Sequence, residues 1–173
     1  MDDVLEPVTI KPDYFAELYV AGVLALRGWN IYFPHRDEGF DFIISKEVGD
    51  EMLIRPVQVK GKYLEPEKTD KSVYGYVGDL SQFHPEMVLA IPYFRSSAKN
   101  ETPVHIAYMP ASQVKPHSRG RHCEPAKFEG GVPAPRRYYA KFFDEQGLRL
   151  LESKEFGTMR LTMTDKDYED ACK

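Results

Sequence analysis

Cysteine is scarce in this chain of 173 residues: Cys123 and Cys172 are the only two, far apart and outside any Cys-x-x-Cys pair. That excludes a readable zinc ligand set and a disulfide framework. Long apolar runs are missing too. None approaches the roughly 20 residues a membrane helix requires, so no span is expected. The N-terminus lacks a basic patch followed by an apolar stretch, so no signal peptide is expected and a reducing cytoplasm is the expected compartment. No internal repeat, low-complexity tract or linker divides the chain. A surplus of positive charge is absent as well. Lys and Arg number 23 against 27 Asp and Glu, a formal net charge of −4, which argues against nonspecific nucleic-acid binding through bulk charge.

What is present suits a soluble globular protein with one core: 42% hydrophobic and 29% charged residues. The aromatics, 11 Tyr and 10 Phe, read first as core packing, with base stacking by a few exposed tyrosines as the alternative. Charge is unevenly spread. Basic residues cluster at Lys115, Arg119 and Arg121, then at Arg136, Arg137 and Lys141, while acids gather toward both ends.

Helical spacing of Phe15, Leu18, Tyr19, Gly22, Val23 and Leu26 predicts a helix from Pro12 to about Arg27, ended by Gly28. Gly22 on that stripe would allow close approach to a sheet. Strands are expected at 29–33, 40–46 and 52–62, the last two joined by a turn at Val48-Gly49-Asp50-Glu51. Pro56 implies a bend or an open edge in the third. Further expectations are a loop at 63–73, a short helix at 79–83, strands at 87–94 and 104–109 around a loop at 95–102, and a short helix at 110–114. Residues 116–135, rich in proline and glycine, read as a long irregular loop. Then follow a strand at 136–143, a helix at 144–152 and a terminal helix from Asp165 capped by Thr164. This order is that of an α/β or α+β layered domain, expected to be a single unit over 1–173 with its core at about 12–115 and a C-terminal extension at about 116–173.

Polar groups stand where apolar ones are expected. Asp41 opens the run Phe42-Ile43-Ile44, and Gln58 and Lys60 alternate with Val57 and Val59. In a strand, residues two apart share a face, so Gln58 and Lys60 point together and the valines point into the core. Glu17 lies between Asp13 and Ala21 along one line of the predicted helix. A charge buried within a strand costs several kcal/mol unless paired, hydrogen-bonded or metal-bound (roughly 3–5 kcal/mol when a partner is lost). Shared use in one site is therefore expected. Asp41 offers a carboxylate, Gln58 an amide oxygen and Val59 a backbone carbonyl, the oxygen donors that Mg²⁺ prefers. Lys60 can orient a water or stabilise phosphoryl charge.

Glu17 on a helix, Gly39-Phe40-Asp41 on a strand and Gln58-Val59-Lys60 on the next resemble the PD-(D/E)XK nuclease superfamily. The lead-in Ala25-Leu26-Arg27-Gly28-Trp29-Asn30-Ile31 is similar to the helix-to-strand step of its restriction-endonuclease-like and archaeal Holliday-junction-resolvase-like members. The resemblance covers about residues 12–62. It implies a mixed central sheet flanked by helices, Mg²⁺ or Mn²⁺ as cofactor, and DNA cleavage in defence, restriction or repair. A homodimer is an option for cutting both strands. By position, Asp41 would be the main metal ligand, Gln58 would fill the second acidic position, Lys60 the catalytic lysine position and Glu17 the helical acidic position. Gln58 departs from the usual Asp or Glu and removes one negative charge from the metal site. The alternative is a catalytically inactive module of the same fold that binds nucleic acid or a protein partner.

Candidates for phosphate contact are His35 and Arg36 in the loop before Asp41, Lys62, and the basic residues Arg119, Arg121, Arg136 and Arg137. Each also has a plainer reading: Asp41 as a turn cap, Glu17 and Lys60 as solvated positions, the basic stretch as a solvated loop. The remaining histidines, His84, His105, His117 and His122, show no ligand spacing.

Overall fold

A computed structural model describes residues 12–36, 39–64, 76–78, 80, 83–95 and 102–161. Helix α1 spans Pro12–Leu26 and stops where glycine predicts. Gly28 has φ 84°. Its N–H donates to the Ala25 carbonyl (3.0 Å) and the Trp29 N–H to the Leu24 carbonyl (3.2 Å), the bond pair of a Schellman ending. The buried stripe differs from the expected one. Ala16, Val20, Ala21 and Leu24 face the core, whereas Phe15, Leu18 and Leu26 are exposed and Gly22 has nothing within 4 Å of a Cβ position. Small alanines let the helix lie close to the sheet, and the bulky residues flank the contact. The turn of the helix matters for function: Glu17 lies one turn before Ala21 and two before Leu24 on the inward side.

The central sheet is mixed. Strands β1 (Asn30–Tyr32), β2 (Phe42–Val48) and β3 (Glu51–Val59) form an antiparallel meander. Strand β4 is Lys62–Tyr63, and β5, Tyr76–Gly78, belongs to another sheet. Strands β6 (Val88–Phe94) and β7 (His105–Pro110) complete the layer. The strand expected at 52–62 is interrupted at Lys60-Gly61. Its two parts pair in parallel with the same strand, Val57–Val59 with Val88–Ala90 and Lys62–Tyr63 with Tyr93–Phe94. Pro56 comes one residue before that parallel ladder begins, so its missing N–H falls where β3 is paired on one side only. This is an α+β arrangement with few helices. Among the described residues no helix is long and apolar enough to cross a membrane.

The C-terminal third corrects the expected loop. Residues 116–135 hold two hairpins, β8 (Lys115–His117) with β9 (Gly120–His122), and β10 (Ala126–Glu129) with β11 (Val132–Pro135). Glu129 pairs with Val132 across Gly130-Gly131, whose φ angles of 58° and 79° are those of a two-residue primed turn. Pro116, Pro133 and Pro135 sit in short strands of small sheets, where a lost donor costs little, and Pro125 lies between the hairpins. The strand expected at 136–143 is instead a 3-10 helix, Arg137–Phe142. Phe142 ends it and Phe143 caps it, bridging to Ala107 of β7, and both rings are buried. Helix α2 follows at Asp144–Leu150, as expected. A 3-10 turn at Ala111–Gln113 replaces the short helix expected at 110–114. The loops expected at 63–73 and 95–102, the helix at 79–83 and the terminal helix from Asp165 lie wholly or largely outside the described residues.

One buried cluster joins α1, the central sheet, strand β10 and Phe156. The most deeply buried charged side chain among the described residues is Arg55, 1% exposed. The guanidinium donates to the carbonyls of Leu151 (3.0 Å) and Ser153 (2.5 Å) and pairs with Glu86 (2.7 Å). Asp144, with φ 50°, accepts the Ile106 N–H (2.9 Å) and ties α2 to β7.

Candidate functional site

The pairing of β2 with β3 runs down to Phe42 opposite Val57, and β3 continues past it. Asp41 sits at that step. Its N–H donates to the Val57 carbonyl (2.9 Å), and its Oδ2 accepts the Val59 N–H (2.6 Å) and the Gln58 Nε2 (3.1 Å). A backbone amide without a neighbouring strand thus finds a side-chain acceptor, and the carboxylate gains fixed orientation. Val57 and Val59 are buried, so Gln58 takes the opposite side, as alternation predicts.

Asp41, Gln58, Val59 and Lys60 line one cavity of about 310 Å³ together with Glu17 and Asp13 from α1. Lys62 after the strand break and Val77-Gly78 of β5 complete its wall. The sequence-predicted residues Glu17, Asp41, Gln58, Val59, Lys60 and Lys62 therefore meet. Asp13 and β5 were not predicted to take part. Asp13 was legible as the residue one turn before Glu17, whereas β5 carries no local signal. His35 and Arg36 are exposed after β1 and are not part of the wall. Arg119 is exposed in the β8–β9 turn, and Arg121 lies over the Phe83 ring at 4.3 Å. Arg136 pairs with Glu124 (3.4 Å), and Arg137 is exposed at the start of the 3-10 helix.

The electrostatics follow from burial and from three carboxylates, Glu17, Asp41 and Asp13, sharing this space. Burial, then the charges of Asp41 and Asp13 and a hydrogen bond with Asp41, raise Glu17 to about 7, against the pull of Lys60. Burial lowers Lys62, with Lys60 adding to that and Glu124 opposing it. Glu17 holds its proton more tightly folded than unfolded. Its contribution to stability is therefore fully present below its ordinary value of 4.5 and is lost as pH rises through about 7. For the metal-free protein, Glu17→Gln removes this loss. The urea midpoint of the variant is expected to gain on wild type steadily between pH 5 and pH 8. Parallel pH profiles would contradict the assignment.

Among the described residues no three His, Cys, Asp or Glu side chains gather as a metal cluster. The donor set here is of another kind: carboxylates from Glu17 and Asp41, with neutral oxygens from Gln58 and Val59. A residue's N–H and C=O point to the same strand edge, so the Val59 carbonyl faces the side occupied by Asp41. The Gln58 NH₂ serves Asp41, which leaves Oε1 as the atom it can offer a cation. Mg²⁺ is typically held by one or two carboxylates plus water and substrate oxygens, and this set fits it. The raised Glu17 fits too, because part of its shift comes from negative neighbours that a cation would offset. A Glu at position 58 could not donate to Asp41, so Gln58 exchanges one ligand charge for orientation of the other carboxylate.

No family model, curated protein or solved structure matches the chain.

Proposed function

We propose that this protein is a metal-dependent endonuclease that hydrolyses DNA phosphodiester bonds, a PD-(D/E)XK-type nuclease on a restriction-endonuclease-like core. One observation carries the reading: Asp41, oriented by the Val59 N–H and the Gln58 amide, shares a cavity with Glu17 and Lys60. A bound Mg²⁺ or Mn²⁺ supplies polarisation of the phosphoryl oxygen and an acidified water. Asp41 and Glu17 would hold that ion with the Gln58 and Val59 oxygens. Lys60 presents its ammonium to the attacking water and to charge developing on phosphorus. In the metal-free protein Glu17 is raised to about 7, so near neutral pH a proton competes with the cation for this ligand.

The test is cleavage of labelled duplex and branched DNA in Mg²⁺ and in EDTA. Cutting in Mg²⁺ that stops in EDTA and returns with Mn²⁺ is the expected result. Gln58 favours a second reading, an inactive module of the same fold, because its amide replaces the second acid and is engaged by Asp41. DNA binding with no cutting in either metal would select that module.

A further inference from the structure

Beside the cavity stands a basic hairpin that the site chemistry does not use. Residues 115–122 read Lys-Pro-His-Ser-Arg-Gly-Arg-His, with three formal positive charges, two histidines and no acid. They sit in a chain of net charge −4. Lys115, Pro116, His117, Ser118 and Arg119 are all exposed. The hairpin joins the cavity through β5: Gly78 pairs with Arg121 on β9, and Gly78 is part of the cavity wall. Neighbouring strands lie about 4.8 Å apart. The path from β5 across β9 to β8 thus leads about 10 Å outward from the cavity, a distance over which a polynucleotide carries several phosphates.

The side chains sort along this path. Lys115 pairs with His122 and His117 with Gly120, so Lys115, His117 and His122 share one face, where the two rings stack at 5.8 Å. Arg121 takes the other face with Phe83. Arg119 caps the two-residue turn. His117 is held by its own turn, since its Nδ1 accepts the Arg119 N–H (3.1 Å). The hairpin is therefore a shaped strip with its cations at base and tip, and it is joined to the site by backbone pairing.

We infer that the β8–β9 hairpin is an arm that grips the phosphate backbone flanking the scissile phosphate, so that the substrate is a polynucleotide extending past the cavity on the β5 side. This rests on the phosphodiesterase reading above and adds to it a substrate length and a direction. Each phosphate contact contributes a slope of about 0.9 to the fall of log K with log salt for duplex DNA. Removing Lys115 and Arg119 should therefore lower the slope by about 2.

The experiment measures binding of a labelled duplex 20-mer by wild type and by Lys115→Ala/Arg119→Ala, from 50 to 300 mM salt in Ca²⁺. Hydrolysis of a small phosphodiester, bis(p-nitrophenyl) phosphate, is followed in Mg²⁺. The arm predicts a slope reduced by about 2 with small-diester hydrolysis unchanged. The same salt slope in both proteins, with wild type still binding and cutting DNA, overturns the arm alone. Wild type that neither binds nor cuts overturns the nuclease reading and the arm with it. An Arg119→Lys/Lys115→Arg variant that keeps the wild-type slope separates charge from loss of hairpin structure, and a slope as low as that of the alanine variant would overturn the charge assignment.

Discussion

On the proposed nuclease function, Lys60→Met is expected to cut DNA at least about 100-fold more slowly than wild type while still binding Mn²⁺. The substitution keeps the length of the stem and removes the ammonium. The backbone that positions it stays in place, because the Lys60 N–H is held by the Ala90 carbonyl (2.9 Å). Lys60 also opposes the rise of Glu17, so any residual activity should have its acidic limb moved to higher pH. Asp41→Asn, by contrast, is expected to lose both cutting and metal binding. It removes a ligand charge and disturbs the acceptor that the Val59 N–H and the Gln58 amide share. Single-turnover cleavage across pH 6–9 separates the two outcomes. Wild-type rates from Lys60→Met would return that residue to the role of a solvated strand position.

Arg55→Met is expected to destabilise the protein by about 3 kcal/mol. Glu86 is 44% exposed on its side chain and regains water when its partner is lost, so little of the loss lies there. The larger part comes from the Leu151 and Ser153 carbonyls. A buried acceptor without a donor costs about 1–3 kcal/mol, and methionine recovers part of the packing over Phe156, whose ring lies 5.1 Å from the guanidinium carbon. For a chain of this size the midpoint of thermal unfolding should fall by roughly 10 °C. A free energy of urea unfolding within about 0.5 kcal/mol of wild type would mean that the 151–156 segment is not anchored through Arg55.

The parts of the fold that were legible in the sequence are those set by local rules. Gly28 ends α1 because only a left-handed residue closes that turn, and Gly49 turns β2 into β3 with φ 62°. Alternation sent Val57 and Val59 inward and left Gln58 and Lys60 for the cavity. The misses have separate physical causes. Bulky residues suggested the wrong buried face for α1, because alanine is a weak hydrophobic signal yet allows the closest approach. Prolines masked the β10–β11 hairpin, although Gly130-Gly131 between alternating residues was a readable turn. The bond from Gln58 to Asp41 depends on where β2 ends relative to β3, a matter of register that composition does not encode. Arg55 was hidden for the same reason, since its partners lie 31, 96 and 98 residues further along.

The cavity at the end of β3 is the centre of the account, and calorimetric titration of Mn²⁺ into the metal-free protein at pH 8 tests it most directly. One site is predicted for wild type, weakened at pH 6 as Glu17 takes up its proton, and no site for Asp41→Asn. Equal binding by wild type and Asp41→Asn, or none by wild type at pH 8, would contradict it.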